Sequence, residues 1–122
     1  MIQWNADGLA PAIVQNATTG DVLMLGWMNA ESLEMTRSSG FVHFYSRSRK
    51  ALWKKGETSG AIQHVVSASI DCDQDTLLLK VRPENIGETC HTGRNTCFYR
   101  EITEDAGQPT GLKLSVTGAA RD

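Results

Sequence analysis

The chain has 122 residues, 40% of them hydrophobic and 21% charged, with a formal net charge of −2. That length fits one domain with a modest core, and the charge gives no global attraction to nucleic acid or to anionic membranes. No run approaches the ~18 apolar residues that span a bilayer, and Met1–Asp7 lacks the basic start and apolar stretch of a signal peptide. The expected setting is therefore cytoplasmic, with reduced thiols. Three cysteines, which cannot all pair within one chain, agree with it.

In chain order, Ile2–Ala17 mixes apolar and polar residues around a strand core at Ile13-Val14. Ala17–Asp21 carries turn residues, and the apolar run Val22–Trp27 reads as a second strand, so the two predict a hairpin. Asn29 is a good N-cap for a short helix over Ala30–Ser38, with Leu33, Met35 and Thr36 available to the core and Gly40 as the stop. Phe41–Ser46 reads as a third strand. Ser46–Lys50 is polar and basic, and Lys54–Gly60 is expected to be loop. Ile62–Ile70 is a fourth strand that runs into a group of aspartates, and Thr76–Val81 is a fifth. Pro83–Gly87 is a turn, and Cys97–Ile102 is a last strand. Asp105–Gly111 has loop composition, and beyond it Leu112–Val116 is the only candidate strand. The expected class is α+β, strand-rich, with one or two short helices and no internal repeat.

The densest chemistry lies in residues 71–97, which hold every cysteine of the chain. In Asp71-Cys72-Asp73-Gln74-Asp75 an extended backbone would put the three carboxylates on one face and Cys72 on the other. Such carboxylates repel unless protons or a cation neutralise them, and magnesium is a fitting ion. A plain acidic edge is the alternative. A calcium loop is excluded, because Thr76-Leu77-Leu78-Leu79 lacks the later glycine and glutamate that such a loop requires. Three thiolates suit zinc and leave it one ligand short, the arrangement of a catalytic site with an open position.

Cys90 and Cys97 are six residues apart, which is not a ribbon spacing but permits a polar loop returning both thiolates to one ion. His91 lies beside Cys90. Neighbours on an extended backbone cannot easily face one ion, so His91 is read as a base or substrate contact rather than a ligand. The stretch Ser46–Gly60 brings Ser46, Arg47, Ser48, Arg49, Lys54 and Lys55 together with Gly56 and Gly60. It is either an anion site or a solvated basic loop, and its residue order excludes a Walker A loop. His43 and His64 are assigned structural roles, and Trp4, Trp27 and Trp53 are read as core or interface, with Trp53 next to the basic loop.

These segments, in this order, resemble the phosphoribosyl-AMP cyclohydrolase family of histidine biosynthesis. The resemblance rests on Val22–Asn29, Tyr45–Arg49, Leu52–Gly60, Asp71–Asp75 and Cys90–Phe98, and covers roughly residues 20–100. It implies hydrolysis of the N1–C6 bond of the adenine ring of phosphoribosyl-AMP by a zinc-activated water. It implies one zinc per subunit on Cys72, Cys90 and Cys97, and magnesium on Asp71, Asp73 and Asp75. His91 is then the catalytic proton carrier, and Ser46, Arg47, Ser48, Arg49, Trp53, Lys55, Glu57, Thr58 and Ser59 are the substrate contacts. It also implies an intertwined homodimer in which Cys72 comes from the partner of the chain supplying Cys90 and Cys97. The length leaves no room for the pyrophosphohydrolase domain fused to some relatives, so residues 1–122 are expected to be one domain performing ring opening alone. The core is expected at about 20–103, with 104–122 as loop or tail. A zinc deaminase is disfavoured because the H-x-E and P-C-x-x-C patterns are missing. A structural zinc module would be expected to close its site with a fourth protein ligand.

Overall fold

The computed structural model describes residues 1–57, 60–84 and 96–116. The expected hairpin forms from β1 (Ala10–Asn16) and β2 (Val22–Met28), paired antiparallel. Asn16 shapes its turn: its Oδ1 accepts the amides of Thr18 at 2.8 Å and Thr19 at 3.1 Å. Gly20 closes the turn with φ +81°, a conformation open to glycine at no steric cost.

Next comes α1 (Ala30–Ser39). Asn29 Oδ1 accepts the Ser32 amide at 2.8 Å and Ser32 Oγ accepts the Asn29 amide at 2.9 Å, a reciprocal cap that satisfies two otherwise orphaned donors. Gly40, at φ +80°, ends the helix as expected. The buried side chains of the helix are Ser32 and Thr36, with Leu33 partly buried against the core. Met35 is 37% exposed, a departure from the expected core face. The physical reason is what the helix docks on. Thr36 Oγ1 accepts the His43 amide at 3.0 Å, so the contact face is polar and meets backbone rather than side chains.

The third strand is shorter than expected: β3 (His43–Ser46), with Phe41 making only an isolated bridge to His64. No strand is expected over residues 51–54, yet β4 (Ala51–Lys54) pairs antiparallel with β3, so Lys54 belongs to a strand and not to the loop. β4 is four residues long with apolar character at Leu52 and Trp53 between basic neighbours, too little pattern to read alone. The fourth and fifth strands are β5 (Gln63–Ile70) and β6 (Leu77–Pro83). The last strand starts later than expected, as β7 (Arg100–Glu104), and pairs with β8 (Leu112–Val116).

The main sheet has the order β2-β1-β6-β5, with β1 parallel to β6 and the other pairs antiparallel. Alternation sets the core: Ala12 and Val14 of β1 and Leu77, Leu79 and Val81 of β6 point to one face, where Met24, Met28, Val42 and Phe44 join them. The strand-rich α+β class is as expected, with one short helix among the described residues. No helix of the described residues is long and apolar enough to cross a membrane.

Candidate active site

The β3–β4 hairpin leans on β2, and between them lies an open cavity of about 600 Å³, within the range of small-molecule sites. Met24, Leu25, Gly26 and Trp27 form one wall; Tyr45, the turn Ser46–Arg49 and Trp53 form the other. Gly26 makes the close approach of the walls possible. A Cβ there would lie 2.5 Å from the Phe44 ring, so only a missing side chain lets that ring pack. Phe44 in turn holds Trp53, with ring centroids 5.0 Å apart.

The turn itself is ordered by a serine. Ser46 Oγ accepts the Arg49 amide at 3.2 Å and lies 3.4 Å from Ser48 Oγ. The Arg47 guanidinium lies over Trp27, 4.5 Å from the ring centroid. Among the described residues, Arg47, Arg49 and Lys50 have no carboxylate within ion-pair distance. Three neighbouring cations repel one another, and an anion relieves that repulsion.

Of the expected substrate contacts, Ser46, Arg47, Ser48, Arg49 and Trp53 are brought together here. Lys55 is buried, its amide donating to the Val42 carbonyl at 2.9 Å, and it does not line the cavity. Glu57 is exposed on the same loop, and Thr58 and Ser59 lie outside the described residues. Gly56 was expected to admit an anion to the backbone. Its open side is instead filled by the chain itself, since a Cβ would meet the Ala61 carbonyl carbon at 2.3 Å.

Met24, Leu25, Gly26 and Tyr45 are cavity residues not expected from the sequence, and Trp27, expected in the core or an interface, forms the platform under Arg47. A glycine inside an apolar strand was the available signal. His43 has the structural role expected of it, buried with Nδ1 2.8 Å from the Phe41 carbonyl. His64 packs edge-on to Phe41 and pairs with Glu84 at 3.0 Å.

Asp71, Asp73 and Asp75 do converge: one oxygen from each lies within 4.8 Å of the others. They do so on a turn and not on an extended strand, which corrects the alternation argument. The Asp71 amide donates to the Thr76 carbonyl at 3.0 Å, the Gln74 amide to the Asp71 carbonyl at 3.0 Å, and Gln74 has φ +67°. The opposite-face placement of Cys72 falls with it, and Cys72 is simply exposed. Desolvation pushes the Asp71 carboxyl up, but the amides of Asp75 and Thr76 and hydrogen bonding with the Asp73 and Asp75 side chains together outweigh it and hold it below the usual value. Asp73 is raised, because hydrogen bonding with Asp75 and Asp71 and their negative charge favour its protonated form.

The two described cysteines are far apart. Cys97 is exposed, and its amide donates to the Leu23 carbonyl of β2 at 2.7 Å, with Thr96 Oγ1 donating to the Val22 carbonyl at 2.8 Å. Cys72 sits on the turn joining β5 to β6. β2 and β5 are the two edges of the main sheet. Even from β2 to β6 there are two strand spacings, roughly 10 Å. Two sulfurs on one zinc lie within about 4 Å of each other, given Zn–S bonds of ~2.3 Å. Cys90 and His91 lie outside the described residues.

Comparison with known proteins bears on these residues together. The family model for phosphoribosyl-AMP cyclohydrolase matches residues 24–99, more than half of the chain. The protein of that name from Caulobacter vibrioides is 56% identical over 100 residues, covering 82% of this chain and 72% of its own. Its counterpart in Chelativorans sp. is 54% identical over 107 residues, 88% of this chain and 77% of the relative. The one from Brucella abortus is 52% identical over 108 residues, 88% of this chain and 91% of the relative.

Proposed function

From the premise that the chain belongs to the phosphoribosyl-AMP cyclohydrolase family, we propose in detail how it opens the adenine ring of phosphoribosyl-AMP, a hydrolysis of a cyclic amidine in histidine biosynthesis. One observation carries the reading: the matched stretch 24–99 takes in both walls of the cavity, the three carboxylates and every cysteine.

Substituted at N1, the adenine ring carries positive charge there, which makes C6 electrophilic. Water adds at C6, the N1–C6 bond breaks, and C6 becomes the carbonyl carbon of a carboxamide. His91 carries the proton from the attacking water to N1. Arg47, Arg49, Ser46 and Ser48 bind phosphate oxygens by charge-assisted hydrogen bonds, and Trp27 and Trp53 give the base an apolar wall.

The donor sets fit two metals. Three exposed carboxylates converging within 4.8 Å, with the Asp73 carboxyl raised by the other two, suit a hard divalent cation, and magnesium is the proposed ion. Cys72, Cys90 and Cys97 are the proposed zinc ligands. Zinc bound there supplies Lewis acidity that brings the pKa of water toward ~7. The separation of Cys72 from Cys97 across the sheet supports a homodimer in which each site takes Cys72 from one chain and Cys90 and Cys97 from the other. The aspartate turn then reaches the cavity from the partner's side along with Cys72. Residues 1–122 are proposed to hold the domain that carries this reaction.

The test is incubation of the purified chain with phosphoribosyl-AMP and, separately, with AMP. Ring opening of the first and no reaction of the second is expected. Conversion of AMP to its 6-oxo product would make the protein a deaminase instead. In the same assay His91→Ala should retain zinc and lose most turnover; loss of the zinc would make His91 a ligand.

A further inference from the structure

Beside the main cavity lies a second hollow of about 300 Å³, lined by Asp7, Leu9, Tyr45, Arg47 and Lys50. It shares Tyr45 and Arg47 with the first. The two hollows are thus neighbours that meet at these two residues. Each holds a cation of its own with no ion-pair partner among the described residues, Arg49 in the larger and Lys50 in the smaller.

Both sides of the smaller hollow are fixed. Asn5 Oδ1 accepts the amides of Asp7 and Leu9, each at 2.9 Å, which pins the segment that carries them. Lys50 closes the four-residue turn between β3 and β4 with φ +51°, a left-handed backbone that glycine would adopt without strain. A lysine kept where glycine fits better indicates a use for its ammonium group. Asp7 and Lys50 are within one hollow yet form no ion pair. A carboxylate accepts hydrogen bonds from sugar hydroxyls, as it does in nucleotide sites, while an ammonium meets phosphate.

We propose that the site is a two-armed clamp: the larger cavity takes the base and one ribose phosphate, and the Asp7–Lys50 hollow takes a second, separate pentose phosphate. Arg47, steadied on Trp27, stands between the two phosphates. This deepens the ring-opening reading and rests on it for the identity of the two-armed ligand, phosphoribosyl-AMP. It adds Lys50 and Asp7 as residues that select a substrate with two phosphate arms over a mononucleotide.

The experiment uses the full chain with its bound metals and two one-armed probes. AMP is brought to saturation and ribose 5-phosphate is then titrated in, followed by calorimetry and phosphorus NMR. The expected result is that ribose 5-phosphate still binds with AMP in place. Lys50→Gln should weaken it by at least tenfold while AMP affinity stays within twofold. Lys50→Gly, which suits the left-handed backbone and so keeps the turn, should do the same. Mutual exclusion of the two probes, equal weakening of both, or no change in either variant overturns the clamp. Failure to open phosphoribosyl-AMP rejects the ring-opening reading separately, because the titration does not depend on turnover.

Discussion

Arg47 rests on the face of Trp27, 4.5 Å from the ring centroid, and that contact joins the hairpin turn to β2 across the cavity. Cation–π attraction of this kind contributes about 0.5–1 kcal/mol at an exposed site and holds the planar guanidinium ready for a phosphate. Removing it should cost binding more than chemistry. Arg47→Ala is expected to raise KM for phosphoribosyl-AMP at least tenfold, about 1.4 kcal/mol or more, with a smaller change in kcat. Arg47→Lys should recover only part of the loss, because an ammonium keeps the charge but not the planar fork. Steady-state kinetics of the two variants checks this.

Gly26 faces the ring of Phe44, and a methyl group there would lie 2.5 Å from it. Phe44 is fully buried, so it cannot turn aside without disturbing Met28, Val42 and Trp53 around it. Gly26→Ala should destabilise the fold by about 1–3 kcal/mol, the usual cost of overpacking. It should also lower turnover in the folded fraction, because Gly26 and Trp53 line the same cavity. The midpoint of denaturant unfolding reads the first effect and kinetics the second.

The Asp73 carboxyl is raised by its two neighbours, Asp75 and Asp71. The folded chain therefore holds the Asp73 proton more tightly than the unfolded one. Its contribution favours folding at low pH and is lost as pH rises through the raised value. In metal-free buffer, Asp73→Asn should raise Tm at neutral pH, and the gain should vanish on acidification below the carboxylate range. Magnesium should remove the gain too, by neutralising the wild-type cluster. Asp71 shifts in the opposite direction, so it is the difference between wild type and Asp73→Asn that isolates Asp73. Thermal melts across pH, with and without magnesium, are the measurement.

Cys72 lies on the β5–β6 turn and Cys97 beside β2, toward opposite edges of the main sheet, and in the proposed dimer one zinc takes them from two chains. Cys72→Ala and Cys97→Ala should each abolish turnover. Mixed and reassembled, they should regain roughly a quarter of wild-type activity, since about half of the dimers are mixed and each of those has one intact site of two. No recovery in mixed dimers confirmed by mass would place the zinc site within one chain.

Much of this was legible in the residues. Asn29 and Gly40 marked the helix ends because caps are local chemistry, and the β1–β2 hairpin followed from its turn residues. The aspartate cluster was visible too, but not its geometry. A positive φ at Gln74 turns the chain where alternation implied a straight strand, and nothing in the residue type announces it. β4 escaped because a four-residue strand is held by its partner β3 and not by its own pattern. Lys55 looked like an anion contact by composition, while its burial comes with a backbone hydrogen bond to Val42, which is distant in the sequence. The wall of Met24–Trp27 was hidden for the same reason: an apolar strand reads as core until the neighbouring hairpin is seen to stand off from it.

The most direct test measures ring opening of phosphoribosyl-AMP and metal content on one purified sample, before and after chelation. The expected result is turnover with about one zinc per chain, lost with the zinc and absent in Cys97→Ala. Stoichiometric zinc without any turnover, even with magnesium supplied, would contradict the ring-opening reading and make the zinc structural.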